Sequence, residues 1–595
     1  MHTDYDLHPS RRAVGYENEA WGDIRGAARE LASKAVGILR DLKKCVIFFD
    51  CYPGIIEDDI TSFASETVDA IRKIADEKIP VTILYTRDCA KSEDELNALL
   101  ADYLTDDRVF GVMCPLDISI LYDPDKLGEM SAECGGDGVT VVIGTACALL
   151  GEANIHVWCG ITRWEIQLRY RRGMPNLYSL DSGEQILKKY KRGYFVEWRL
   201  ADRYKEKLYD TFDYVLETER AGEYHMVTGN AYRAGLRLLA SEPFRLEPYF
   251  DPGVWGGKWM QEHFGLDKNE KNFAWSFDGV PEENAVNLDY GTVKIKLPAL
   301  DVVKYCPREL LGEAVYARFG AEFPIRFDFL DTVHGGNLSL QVHPQTEYIK
   351  NTFAMPYTQD ESYYILDTDE NAETYVYLGV KNGISPEEMH SALTEAEHGI
   401  KPFDAEKFVN KIPVKKHDHV LIPAGTVHCS GKNTVVLEIS ATPYIFTFKL
   451  WDWGRVGLDG LPRPTHIEHG MKNIDFTRDT DFVMNELIHR ERTVSCEDGL
   501  TVERTGLYDT EFIETYRYSA QKRFVVETRG SVAVLNLVEG KSAMLVPLDE
   551  NGEERSDAAL KLHYAETVII PNAVQRLMIV PGDEEIKIIS AKVRI

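Results

Sequence analysis

No apolar run in this 595-residue chain approaches the roughly 20 residues that cross a bilayer as a helix. The longest, Val46-Ile-Phe-Phe49 and the stretch from Val139 onward, are far too short. The segment from Met1 to Trp21 carries Asp4 and Asp6 and no apolar core, so it does not read as a signal peptide. No CxxC pair occurs among the ten cysteines, seven of which precede Thr162. That scatter predicts reduced, mostly buried thiols in a cytoplasmic protein rather than a disulfide framework. Basic residues are scarce: Lys and Arg number 67 against 96 Asp and Glu, for a net charge of −29. So acidic a surface repels phosphate backbones and anionic lipid, and no local basic patch offsets it, which excludes nucleic-acid and membrane-surface binding. An anionic substrate must therefore be drawn in by locally placed cations. Low-complexity segments are missing too, as are repeats beyond two possible β-barrels. What remains is ordinary: 44% hydrophobic and 27% charged residues exclude a mostly disordered chain. The length suggests about four structural units at roughly 150 residues each.

Residues 1–225 alternate strands and helices. Cys45–Asp50, Val81–Tyr85, Thr140–Gly144 and Asn154–Cys159 are apolar runs suited to buried parallel strands, and Ile60 to Ala75 has helical periodicity. The pattern predicts a three-layer α/β domain. From about Glu242 the strands become short and turn signals multiply: Asp251-Pro-Gly253, Gly335-Gly336, Lys381-Asn-Gly383 and Asp459-Gly460. All-β structure is expected there, as domains over 242–485 and 486–595, with one helical insert near 385–410 started by Ser385 and Pro386.

The chemistry lies in the third quarter. Leu338-Ser-Leu-Gln-Val-His343 alternates strictly and puts Ser339, Gln341 and His343 on one face. Glu361 starts another strand on the same face as Tyr363 and Ile365, where an ionised carboxylate needs a cation. Leu421-Ile-Pro-Ala-Gly-Thr-Val-His428 delivers a histidine from a Pro-x-Gly turn just before the strand Val435 to Ile439. Separately, each has a bland reading as surface polarity. Together, two imidazoles, a carboxylate and an amide suit Zn²⁺ or another first-row divalent ion with positions left for water or substrate.

These segments resemble the class I mannose-6-phosphate isomerases, metal-dependent members of the cupin superfamily. The resemblance is carried by Trp255-Gly-Gly257, Leu338-Ser-Leu-Gln-Val-His-Pro344, Glu361 within Asp360–Leu366 and Ile422-Pro-Ala-Gly-Thr-Val-His428. It continues through Leu437-Glu438, Asp452-Trp-Gly-Arg455 and Leu458-Asp-Gly460. It covers roughly Glu242 to Ile595 and implies a double jelly roll with one zinc held by Gln341, His343, Glu361 and His428. The implied reaction interconverts mannose 6-phosphate and fructose 6-phosphate by proton transfer between the first two sugar carbons. That chemistry needs a base, a cation for the developing oxyanion and a clamp on the phosphate. Glu438 is the candidate base and Lys449 the second catalytic candidate; Ser339 and Arg455 are candidates for binding substrate. Two departures stand out. Lys449 occupies the place of an arginine assigned as catalytic in related bacterial enzymes, and lacks its planar fork. Gln359 stands where the family often has lysine. These leave open a non-catalytic sugar-phosphate-binding regulator, or an isomerase of a different phosphosugar. A third class, another metal-dependent cupin activity such as an oxygenase, fits the Trp-Gly-Gly and Asp-Trp-Gly-Arg segments less well.

Val141 to Leu150, Asn154–Cys159, the basic stretch Thr162–Arg172 and Tyr204 to Val215 resemble the second half of uridine-kinase-like P-loop proteins. The resemblance makes Arg169, Arg171 and Arg172 counterparts of lid arginines. A working phosphate loop needs GxxxxGK[ST] after the first strand. Here Asp50-Cys-Tyr-Pro-Gly54 is followed by Glu57, Asp58 and Asp59. Pro53 removes an amide donor, no lysine follows Gly54, and the acids repel phosphate. ATP binding and kinase activity are therefore not expected.

Overall fold

The computed structural model describes residues 4–75, 79–441, 446–457, 460, 463–506, 508 and 510–595. The chain forms two compact units. One contains Ser10–Leu238 and Ala285–Tyr305; the other contains the residues before Ser10, Leu239–Asn284 and Cys306–Ile595.

In the first unit, a seven-stranded sheet runs in the order Ala20–Trp21, His225–Thr228, Tyr214–Glu217, Ile155–Gly160, Lys44–Cys51, Gly138–Gly144, Val81–Tyr85. The five strands from Tyr214–Glu217 to Val81–Tyr85 are mutually parallel. Parallel strands need both faces covered. Helices Ile24–Leu42 and Glu57–Ala75 bury Leu31, Ala35, Ile60 and Phe63 against Ile47, Phe49 and Val141 on one face. On the other, Trp158 meets Phe212 and Tyr204, and Phe48 meets His156. The loop after the central strand is packed shut. A Cβ at Gly54 (φ +103°) would lie 2.7 Å from Ile166. Arg169 donates to Gly54 O at 3.0 Å and Thr218 O at 2.7 Å, so it braces backbone carbonyls.

Turn-rich texture predicts β structure throughout from Glu242, but residues 285–305 belong to this first unit. Strand Ala285–Asp289 pairs with Lys294–Pro298 and with Arg11–Arg12. Helix Leu300–Tyr305 follows, and its Asp301 accepts from Lys205 (2.6 Å), Tyr209 (3.0 Å) and Tyr232 (2.8 Å), all buried. Two more short helices, Pro307–Leu311 and Glu313–Phe319, belong to the second unit. The expectation of a single helical insert misses them and helix Thr346–Phe353, because all are short; the first two are also bounded by Pro307, Gly312 and Gly320. The expected insert does form as helix Pro386–Glu397, capped by Ser385.

The second unit contains antiparallel sheets. A six-stranded sheet orders His419–Ile422, Glu361–Thr368, Thr434–Ser440, Arg326–Asp331, Trp275–Gly279 and Tyr249–Asp251. A five-stranded sheet orders Val409–Pro413, Tyr375–Val380, His428–Ser430, Leu340–Val342 and Phe448–Trp451. Toward the C-terminus, a six- and a four-stranded sheet share a core of Leu535, Leu537, Leu545, Ile579 and Ile588. Among the described residues no helix is long and apolar enough to cross a membrane.

Candidate metal centre

Glu361 comes from the six-stranded sheet, and Gln341 and His428 from the five-stranded one, where they are directly paired. Directly paired residues point to the same face, so the register alone brings these two side chains together. His343 follows the strand and Pro344 ends it. The turn that delivers His428 is tied to His343: Gly425, at φ +92°, donates its N–H to His343 O at 3.0 Å. A side chain there would be strained whatever the space.

His343 Nε2 lies 3.1 Å from Glu361 Oε2, and His428 Nε2 lies 2.7 Å from Glu361 Oε1. All three groups are buried. His343 Nδ1 is 2.8 Å from Phe446 O and His428 Nδ1 is 2.9 Å from Thr426 O. A carbonyl only accepts, so both Nδ1 atoms carry a proton and both Nε2 atoms face Glu361, as lone pairs in the neutral rings and as donors in the protonated ones. With neutral rings, two lone pairs and a carboxylate converge, and His343 Nε2 and Glu361 Oε1 lack a hydrogen-bond partner. Such a set repels itself unless a cation fills it, and carbonyl-tethered imidazoles are the usual support for metal ligands. Gln341 Nε2 sits 3.2 Å from His428 Nε2, and a half-turn of the amide presents its oxygen instead. Burial would raise the Glu361 pKa, but the two imidazoles, when protonated, hold it well below the usual carboxylate range.

Beside this cluster lie the other candidates. Glu438, buried opposite Asp328 and Tyr363, reaches Gln359. Burial first, then Asp328 and Glu361, push its carboxyl well above the ordinary value. Lys449, paired in the sheet with Gln341, is half-buried rather than a free surface lysine. Desolvation and the neighbouring Arg463 push its ammonium down to about 7, against the attraction of Asp452. Ser339 Oγ donates to Asp452 Oδ1 at 3.0 Å, and Asp452 also takes Arg455, whose Nη1 donates to Asn337 O at 2.8 Å. Leu458 and Asp459 of the next motif lie outside the described residues.

Two residues escape the sequence reading. Arg463 Nη1 is 2.7 Å from Asp452 Oδ2 and 3.3 Å from Ser339 Oγ, so two guanidiniums and a hydroxyl converge on one carboxylate. Arg478 Nη1 donates to Ala424 O at 2.6 Å and Thr426 Oγ1 at 2.7 Å, clamping the turn that carries His428. Neither lies in a motif.

A family described only as a domain of unknown function, DUF8485, matches residues 24–241. Mannose-6-phosphate isomerase of Streptococcus mutans is 24% identical over 352 residues, 58% of this chain and 97% of that protein. Mannose-6-phosphate isomerase ManA of Bacillus subtilis is 22% identical over 308 residues, 52% of this chain and 89% of its own. Among solved structures, the mannose 6-phosphate isomerase from Bacillus subtilis aligns with a TM-score of 0.46 at 20% identity, covering 59% of this chain and 99% of that one. A mutant phosphomannose isomerase from Salmonella typhimurium aligns at 0.45 and 16% identity, covering 60% and 100%.

Proposed function

We propose that the second unit is a metal-dependent aldose–ketose isomerase interconverting mannose 6-phosphate and fructose 6-phosphate. The observation that carries this is the convergence of two carbonyl-tethered imidazoles on the two oxygens of Glu361. The similarity to proteins named mannose-6-phosphate isomerase supports the substrate class. Gln341, His343, Glu361 and His428 would hold the ion, zinc by the chemistry of the donors. When bound, it would polarise the sugar oxygens.

The chain's own residues supply the rest. Proton transfer between adjacent carbons needs a group that can both give and take a proton, with a pKa near the working pH. Lys449 Nζ, depressed to about 7, and the carboxyl of Glu438, raised by burial, are the two candidates. Arg455, Arg463 and Ser339, grouped on Asp452, would position the phosphate, as a net charge of −29 demands a local concentration of cations.

The first unit we read as a P-loop-kinase-like domain without its nucleotide site, supported by Arg169 bracing the loop at Gly54. On this reading the unit does not bind ATP.

The alternative, a sugar-phosphate-binding regulator without turnover, is favoured by one feature, the neutral Gln359 between Glu361 and Glu438. A coupled assay of mannose 6-phosphate conversion, with chelator and zinc add-back, separates the two. Activity abolished by chelator and restored by zinc is expected. A metal-loaded protein without turnover would remove the isomerase reading.

A further inference from the structure

The first unit holds a polar cleft with about 330 Å³ of water-accessible space, at the low end of the range for small-molecule sites. Both of its walls follow parallel strands of the sheet. Helix Glu93–Leu104 comes after Val81–Tyr85 and supplies Glu93 and Asn97. The stretch after Ile155–Gly160 supplies Asn176, Ser179 and helix Ile186–Arg192. In an open α/β sheet, ligands bind among the connections that leave the carboxyl ends of the strands.

The polar groups of this cleft are held from behind. Asn176 is 5% exposed, and its Nδ2 lies 3.1 Å from Lys189 O and 3.2 Å from Glu197 Oε2. A carbonyl only accepts, so the amide nitrogen is fixed there and Oδ1 turns the other way, into the cleft. That oxygen takes no hydrogen bond from the described residues. Asn97 is its complement: Oδ1 accepts from Arg192 Nη1 at 3.2 Å, which leaves Nδ2 free. Arg192 is itself pinned, by Nε on Glu197 Oε1 at 2.8 Å and by Nη2 on Leu177 O at 3.1 Å. One buried carboxylate, Glu197, therefore orients both amides, Asn176 directly and Asn97 through Arg192. It ends a π-helical turn, Gly193–Glu197, and such turns are concentrated at functional sites. Glu93 gives Oε1 to Ser179 Oγ at 2.8 Å and Leu180 N at 3.2 Å, which keeps Oε2 open. Lys191 Nζ donates to Thr105 O at 3.3 Å and to Asp107 O, with a third N–H to spare.

This pattern selects a ligand class. Glu93, Asp106, Asp181 and Glu184 line the cleft with Lys188, Lys191 and Arg192, and Glu197 already answers Arg192, so an anion is disfavoured. Among the described residues no aromatic ring lines it, which leaves a base or a quaternary ammonium nothing to stack on. An ammonium ion only donates and would leave Asn97 Nδ2 and Lys191 Nζ unanswered. A hydroxyl both gives and takes a hydrogen bond at one atom. Hydroxyls can donate to Asn176 Oδ1 and Glu93 Oε2 and accept from Asn97 Nδ2 and Lys191 Nζ. We propose that the cleft binds a neutral monosaccharide through its hydroxyls. The site lies within the first unit, uses no residue of the metal centre and does not depend on the isomerase reading.

Titration calorimetry of the full chain with D-mannose, D-fructose and D-glucose tests it, because these sugars are uncharged and differ in the placing of their hydroxyls. At least one should bind, one per chain and with a millimolar Kd, with chelator present as well as absent. Asn97→Asp keeps the oxygen for Arg192 and replaces a donor by an acceptor. Glu93→Gln can keep the bonds to Ser179 and Leu180 and makes the reverse change. Both are isosteric and should melt with the parent chain. Each should weaken that sugar several-fold, and the double variant at least about tenfold. Parent-like binding by the double variant, or binding abolished by chelator, would place the sugar elsewhere and overturn the site. Absence of binding by all three sugars at tens of millimolar would overturn it as well.

Discussion

The carboxamide of Gln359 bridges two buried carboxyls: its Nε2 lies 3.1 Å from Glu361 Oε2 and 3.3 Å from Glu438 Oε1. Its oxygen accepts from Phe446 N at 2.9 Å, which fixes the amide's orientation. A neutral donor thus stands between the metal-ligand carboxylate and the proposed acid–base group. Burial, Asp328 and Glu361 raise the Glu438 carboxyl, and the neutral amide at position 359 brings no charge to offset them.

Gln359→Lys should therefore draw the Glu438 pKa down. An opposite charge within about 4–6 Å lowers a carboxyl by roughly 1–3 units. Where activity requires the ionised form, the acidic limb of the pH–rate profile moves to lower pH by that amount. An unmoved limb would take Glu438 out of the reaction.

Lys449 sets an expectation of opposite sign. Its ammonium is depressed to about 7, so its positive charge is present below that pH and lost above it. KM for a phosphosugar should rise between about pH 7 and pH 9 in the parent chain. Lys449→Arg, which stays charged, should flatten that rise while leaving KM at pH 6 within a few-fold.

Removing the metal should destabilise the second unit, because the ion's binding energy is lost and the buried Glu361, His343 and His428 lose the cation that joins them. A ligand that binds only the folded state at 100 times its Kd contributes about 2.7 kcal/mol. Chelation should lower the melting temperature of the parent chain, and zinc should restore it. His343→Ala should melt low and show no response to either. Elemental analysis should give one metal per parent chain and a strongly reduced content in the variant.

Arg478 makes no contact with the ion's proposed ligands, but it holds Ala424 O and Thr426 Oγ1, and Thr426 O holds the His428 ring. Arg478→Lys keeps the charge and loses the fork. Metal affinity should fall about 10- to 100-fold, the range for a supporting group, with the secondary structure unchanged by circular dichroism. Rescue of activity by excess zinc would identify the loss as one of positioning.

The parts of this picture legible in the sequence are those fixed by short-range rules. Strand alternation places Ser339, Gln341 and His343 on one side, and the Pro-x-Gly turn announces His428. Ser385 and Pro386 mark a helix start that forms as expected. What supports the site was not legible. The imidazole tethers are backbone carbonyls, Phe446 O and Thr426 O, and no side chain advertises them. Arg463 reaches Ser339 across 124 residues and Arg478 reaches Pro423 across 55. Only the fold supplies such separations. The depressed pKa of Lys449 arises from Arg463 and burial together, so the linear chain shows only a lysine between Phe448 and Leu450.

The return of residues 285–305 to the first unit means that the two halves of the gene product cannot be exchanged as cassettes. The polypeptide passes from one unit to the other four times, after Pro9, Leu238, Asn284 and Tyr305. A fragment ending at residue 241, where the family match stops, would keep Lys205, Tyr209 and Tyr232 but lose Asp301, the carboxylate on which all three converge. A buried ammonium stripped of its partner costs several kcal/mol. A fragment starting at residue 306 would in turn lack Tyr249–Asp251 and Trp275–Gly279, the strands that close one edge of the sheet bearing Glu361. Whatever brought the two units into one chain, deletion or swapping of either by a single cut now damages both.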